Sequence, residues 1–120
     1  MTAAEAPSVH VVDDDPAIRD SLAWLFSSRG LRVTPWESGE AFLAEFGPGR
    51  RGCALLDVRM GGMSGLEVLD RLEELGSILP VIVLTGHGDV PMAVRSLKKG
   101  AGDFIEKPFD SADLVARVQA

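Results

Sequence analysis

The chain has no tyrosine, a single cysteine, and no apolar run near the roughly 20 residues that a membrane-crossing helix needs. Each absence closes off a class of protein. With Cys53 alone no intramolecular disulfide can form, and its setting in GCALLD suits a small core residue in a reducing compartment. The opening MTAAEAPS lacks a basic stretch followed by an apolar one, so no secretory leader is read and a soluble, cytoplasmic protein is expected. Aromatic residues make up only 6% of the chain, too few for a platform on which single-stranded bases could stack. Basic residues are the minority, and the net charge of −6 argues against a stripe that displaces counterions from a phosphate backbone. The basic pairs Arg50-Arg51 and Lys98-Lys99 read as solvated loops or helix ends.

What is present is an alternation of two kinds of segment. At 120 residues the chain is long enough for one domain, burying about two thirds of its unfolded surface. Short β-branched runs at 9–12, 31–34, 54–56, 81–84 and 103–105 are each followed by residues at helical spacing. Ile18, Leu22, Leu25 and Phe26 share one helical face; Phe42 and Phe46, then Val90, Ala93, Val94 and Leu97, repeat the spacing. Helix starts are signalled by Asp15-Pro16, by Ser64 with Glu67, by Asp89 ahead of Pro91, and by Asp110 before a stripe at Leu114 and Val118. Gly30, Gly76 and Gly100 supply stops. PVIVLTG is apolar nearly throughout, as in a strand covered on both faces. The pattern predicts an α/β fold, (βα)5, with a doubly wound, five-stranded parallel sheet of flavodoxin-like shape.

In such a sheet the ligand crevice lies beyond the carboxyl ends of the strands. The polar residues that end the apolar runs are Asp13 and Asp14, Asp57, Thr85 and, just past the last run, Lys107. All five should meet at one edge. Within VVDDDP, Asp15 precedes Pro16 and is best placed as a helix N-cap, a structural task. Asp13 and Asp14 would then face Asp57, and clustered carboxylates raise one another's pKa unless a cation intervenes. Carboxylates and a backbone carbonyl are hard donors of the kind Mg²⁺ prefers. The competing reading is an acidic loop that merely faces solvent.

VHVVDDDP, LLDVRMGGMSGLEVL, VIVLTGHGDVPMAV and GAGDFIEKPF, in this order and spacing, resemble the receiver domain of two-component response regulators, over about residues 8–118. Residues 1–7 are then a tail and 8–120 the receiver. GHGDVPMAV is most similar to the FixJ-type transcriptional regulators, with related wording in sigma-54 activators. The resemblance implies that Asp57 accepts a phosphoryl group from a sensor histidine kinase. It implies that Asp13, Asp14, Asp57 and the backbone carbonyl of Arg59 hold Mg²⁺, with Mn²⁺ as a substitute, while Lys107 and Thr85 contact the phosphoryl oxygens. It also implies that Thr85 and Phe104 act as the switch, altering the surface of the fourth helix, fifth strand and fifth helix, through which a phosphorylation-dependent homodimer forms. The Lys107-Pro108 bond is expected to be cis, and Arg59 and His87 to tune phosphoryl lifetime.

Apart from the family, Asp57 could be a buried capping carboxylate, Lys107 a surface lysine, Thr85 the close of a strand, and Phe104 and His10 plain core. GGMSG is not a P-loop, since no Gly-Lys-Ser/Thr ends it. Where many receivers have Met-Pro, this chain has Met60-Gly61, so a more mobile segment at 59–64 and weaker Mg²⁺ binding are expected. A haloacid-dehalogenase-type phosphatase would need a second Asp where Arg59 stands, and a nucleotide or flavin module would need a phosphate loop where the acidic cluster stands. No enzymatic activity is expected beyond the chain's own phosphorylation and dephosphorylation. FixJ-type proteins continue into a DNA-binding domain, whereas this sequence ends at Ala120, which reads as an excised receiver or a stand-alone one like CheY; DNA contact would come only through an output domain absent here.

Overall fold

A computed structural model describes residues 8–45, 52–60, 62–77, 79–86, 89–107 and 110–119. The expectations for Phe46, Arg50, Arg51, Gly61, His87 and Pro108 lie outside these. Five strands and five helices alternate: β1 (Ser8–Val12), α1 (Pro16–Ser28), β2 (Val33–Trp36), α2 (Gly39–Ala44), β3 (Gly52–Asp57), α3 (Gly65–Glu74), β4 (Val81–Thr85), α4 (Val90–Lys98), β5 (Asp103–Glu106) and α5 (Ser111–Gln119). The strands form one parallel sheet in the order β2-β1-β3-β4-β5. The chain therefore winds outward in one direction from β1 to β2 and in the other from β3 onward, which puts the reversal between β1 and β3.

Alternation along the strands divides the core into two layers. Val9, Val11, Cys53, Leu55, Ile82, Leu84 and Ile105 point to the side covered by α1 and α5, where Leu22, Phe26 and Leu114 meet them. Val12, Ala54, Leu56, Val81 and Val83 point to the other side, against Phe42 of α2 and Val68, Leu69 and Leu72 of α3. Both faces being covered explains why the central strands read as unbroken apolar runs. His10 is buried in β1, where its Nδ1 accepts from Trp36 Nε1 at 3.2 Å and its ring lies against Trp36 and Phe42.

Side chains cap four of the five helices, three of them where the sequence signals it, while the sequence reading misses the Ser38 cap at α2. Asp15 accepts from Ala17 N–H, Ser38 from Ala41 N–H, and Asp110 from Ala112 and Asp113 N–H. Ser64 and Glu67 form a reciprocal capping box.

Two expectations need correction. The second strand begins at Val33, two residues later than the run at 31–34, because Leu31 still belongs to the exit from α1: its N–H bonds Phe26 O while Gly30, at φ 77°, bonds Ser27 O. The strand also includes Pro35, tolerated because β2 is an edge. In α4, Ala93 and Ser96 are the buried pair, whereas Val94 and Leu97 are 44% and 41% exposed. Small side chains let this helix lie on the sheet with Met92 packing beside them, and Val94 and Leu97 are left on its outer flank.

Candidate functional site

The carboxyl ends of β1 and β3 bring three acidic side chains together. One carboxylate oxygen from each of Asp13, Asp14 and Asp57 lies within 4.8 Å of the others. Asp13 is fully buried, Asp57 nearly so, and Asp14 is exposed, which gives the cluster a sealed floor and an open mouth. Backbone contacts hold the floor. Asp13 Oδ1 accepts Asp15 N–H at 2.9 Å, and its carbonyl is clamped by Arg19 Nη1 at 2.7 Å. Behind Asp57, Gly65 begins α3 so close to the strand that a Cβ there would stand 2.6 Å from the Asp57 carbonyl oxygen.

Lys107 supplies the cluster's cation. Its Nζ lies 3.4 Å from Asp13 Oδ2 and 3.5 Å from Asp57 Oδ1, bridging the two buried carboxylates. Its backbone N–H bonds Thr85 O at 2.7 Å, which ties the exit of β5 to the end of β4. Burial, and then the charge of Asp13, push the Asp57 carboxyl up to about 6, against the opposing pull of Lys107 and of the Arg59 N–H. A single ammonium does not fully compensate two buried carboxylates. Three carboxylate oxygens at this spacing, one exposed, fit a hard divalent cation that keeps part of its water.

Four of the five strand-end residues are thus drawn together. Thr85 stands on the adjoining strand, buried, with its hydroxyl directed at Ile105 O at 3.5 Å. Phe104, one strand further out, is partly buried and packs against the layer that includes Val83 and Ala101. The Arg59 side chain turns away to the β4–α4 connection: its Nε and Nη2 lie 2.7 and 2.8 Å from the two carboxylate oxygens of Asp89. Asp89 consequently makes no side-chain cap for α4, although the helix begins at Val90, where the sequence signals it. Arg19, Gly65 and the Asp89 pairing were missed by the sequence reading. Only Arg19 carried a signal, as a basic residue one turn beyond Asp15.

The sequence profile of the response regulator receiver domain matches residues 9–119. The chain belongs to that family. It is 55% identical to the transcriptional regulatory protein FixJ of Azorhizobium caulinodans over 97% of this chain and 55% of that protein. It is 53% identical to the C4-dicarboxylate transport transcriptional regulatory protein DctR of Rhodobacter capsulatus, over 90% of this chain and 56% of that one. The chain therefore spans about half the length of these relatives. Among solved structures, FixJ-N superimposes with a TM-score of 0.89 at 46% identity, covering 96% of this receiver and 92% of that chain. The receiver domain of NtrX from Brucella abortus gives 0.87 at 32% identity, over 93% and 95%. The receiver fold and its FixJ-like character both follow from these likenesses.

Proposed function

We propose that this receiver takes a phosphoryl group on Asp57 from a sensor histidine kinase and passes the change to a transcriptional output. The observation that carries the reading is the Asp13–Asp14–Asp57 cluster with Lys107 bridging its buried members. Asp57 is the nucleophile: its carboxylate oxygen attacks phosphorus, the bond from phosphorus to the donor breaks, and the donor leaves with the electron pair. Asp13, Asp14, Asp57 and the Arg59 carbonyl would hold Mg²⁺, or Mn²⁺ in its place. When bound, the ion supplies positive charge where the transferring oxygens gather negative charge. Lys107 keeps its ammonium at the same oxygens, and Thr85 offers a hydroxyl at the end of the neighbouring strand.

Movement of Thr85 toward the phosphoryl group, with Phe104 following, would shift the population between two packings of α4, β5 and α5. Val94 and Leu97, exposed on α4, suit a homodimer contact formed in the phosphorylated state. Control of transcription fits the FixJ and DctR likenesses and would be exerted through sequence that those relatives carry and this chain does not include. None of the described helices is long and apolar enough to cross a membrane, in keeping with action in the cytoplasm. The chain's catalysis is confined to its own phosphorylation and dephosphorylation.

Intact-mass spectrometry after incubation with acetyl phosphate tests the assignment. Wild type should gain one phosphoryl group, about 80 Da, only with Mg²⁺, and Asp57→Asn none. Labelling that persists in Asp57→Asn, or is indifferent to EDTA, would overturn it.

A further inference from the structure

Asp89 stands at the N-cap position of α4, and aspartate is among the best N-cap residues, yet its side chain accepts nothing from the first turn of that helix. The capping residues of α1, α2, α3 and α5 all make such bonds. The Asp89 carboxylate is committed elsewhere, to both arms of the Arg59 guanidinium at 2.7 and 2.8 Å and to the backbone of Gly86, the residue after Thr85. The pair joins the segment just after β3 to the β4–α4 connection, beside the strand end that carries Asp57. Arg59 follows Asp57 by two residues, and its own N–H lies 3.4 Å from Asp57 Oδ1. Its side chain is 67% exposed, so solvent leaves it able to change partners.

We propose that Asp89 is a positioning residue for the phosphoryl group: it holds the Arg59 guanidinium aside, and the strength of that hold sets how long the phosphoryl group on Asp57 survives. The inference rests on Asp57 being the phosphoacceptor. A phosphoryl group carries up to two negative charges and three acceptor oxygens, so it competes with the Asp89 carboxylate for the same planar fork. In hydrolysis a water oxygen attacks phosphorus, the bond from phosphorus to the Asp57 oxygen breaks, the carboxylate leaves with the electron pair, and dihydrogen phosphate departs. Arg59 seated on the phosphoryl oxygens occupies the solvent side from which that water comes. Released from Asp89, it spends more time there and hydrolysis slows.

Asp89→Asn separates this role from helix capping, because asparagine caps as well as aspartate but cannot form the ionic fork. The rate of phosphoryl loss is followed by intact mass after acetyl phosphate and Mg²⁺ labelling and removal of the donor. Loss from Asp89→Asn should be about two- to fivefold slower than from wild type, the range an exposed ion pair can supply. In an Arg59→Ala background the same substitution should leave the rate unchanged, and Asp89→Glu should restore the wild-type rate. An unchanged or faster loss from Asp89→Asn, or an equal slowing with and without Arg59, would overturn the proposal. Failure of wild type to label at all refutes the phosphoacceptor assignment instead, so the two failures are distinguishable.

Discussion

Without a divalent cation, the site should make the domain less stable than it would be with Asp57 neutralised. Asp57 is 7% exposed, and its carboxyl is raised from 3.8 to about 6, first by burial and then by Asp13. Two units at 1.36 kcal/mol each put the cost of ionising Asp57 in the folded state at about 3 kcal/mol. Because the folded pKa lies above the unfolded one, the favourable contribution is complete below about pH 4 and is lost as pH rises through about 6. At pH 8 the metal-free domain therefore carries the full cost. Asp57→Asn removes the charge and keeps an oxygen for the Arg59 N–H. Its gain should be about 1–3 kcal/mol, or an increase of roughly 4–12 °C in Tm for a domain of this size.

Thermal melts followed by circular dichroism in EDTA, at pH 8 and pH 4.5, read this out. The variant should melt above wild type at pH 8, and the gap should narrow to about a third at pH 4.5, where Asp57 is protonated in the folded wild type and still mostly ionised in the unfolded chain. Adding Mg²⁺ at pH 8 should raise the wild type more than the variant, since binding to the native state alone stabilises it and the variant lacks one of the proposed ligands. A variant that melts below wild type in EDTA at pH 8 would refute the reasoning. A gap of the same size at both pH values would refute it equally.

Other substitutions test the supports of the site and the core. Gly65→Ala forces a Cβ to 2.6 Å from the Asp57 carbonyl, so the end of β3 must shift; urea titration should show a loss of about 1–3 kcal/mol, and Mg²⁺ titration a weaker affinity. Phe42→Ala empties a fully buried position in the α2–α3 layer and should cost about 3–5 kcal/mol in the same urea assay. Burial pushes the Cys53 thiol up to about 11, so at pH 8 a disulfide reagent should modify it only as the native fold opens, with a rate that rises on addition of sub-denaturing urea. The fold also loses stability as pH climbs from about 9 through about 11, because the folded thiol holds its proton above the unfolded value of 9.

The sequence was most legible where one local signal sufficed. Strand ends could be read because an apolar run stopping at Asp57 or Thr85 marks both a boundary and a direction, and a parallel sheet carries all such ends to one edge. The helix starts at Asp15, Ser64 and Asp110 were equally plain, since the side chain that signals each start also makes the bond. Legibility failed where two signals overlapped. Leu31 is apolar and follows a glycine, yet it serves the exit from α1 and not β2. In α4 the apolar residues Val94 and Leu97 share a spacing with Ala93, but Ala93 and Ser96 are the pair that meets the sheet. Periodicity identifies a helix and leaves open which of two adjoining stripes is buried.

Asp89 illustrates a different kind of failure, because a residue with the right type and position for a cap is diverted by a partner 30 positions earlier in the chain. Departures from local rules tend to gather where function requires them. Here they do so within one small region: buried carboxylates incompletely neutralised at Asp13 and Asp57, a glycine at Gly65 pressed against the β3 end, and a cap that goes unmade at α4. Each makes the same region responsive to charge. On the proposed assignment, a cation or a phosphoryl group at Asp57 would change the balance among Lys107, Arg59 and Asp89, and Asp89 stands at the N-cap of the helix whose outer flank carries Val94 and Leu97. The Arg59–Asp89 pair, weak enough for a phosphate to outcompete, would then link the chemistry proposed at β3 to the exposed surface of α4, beside the proposed route through Thr85 and Phe104.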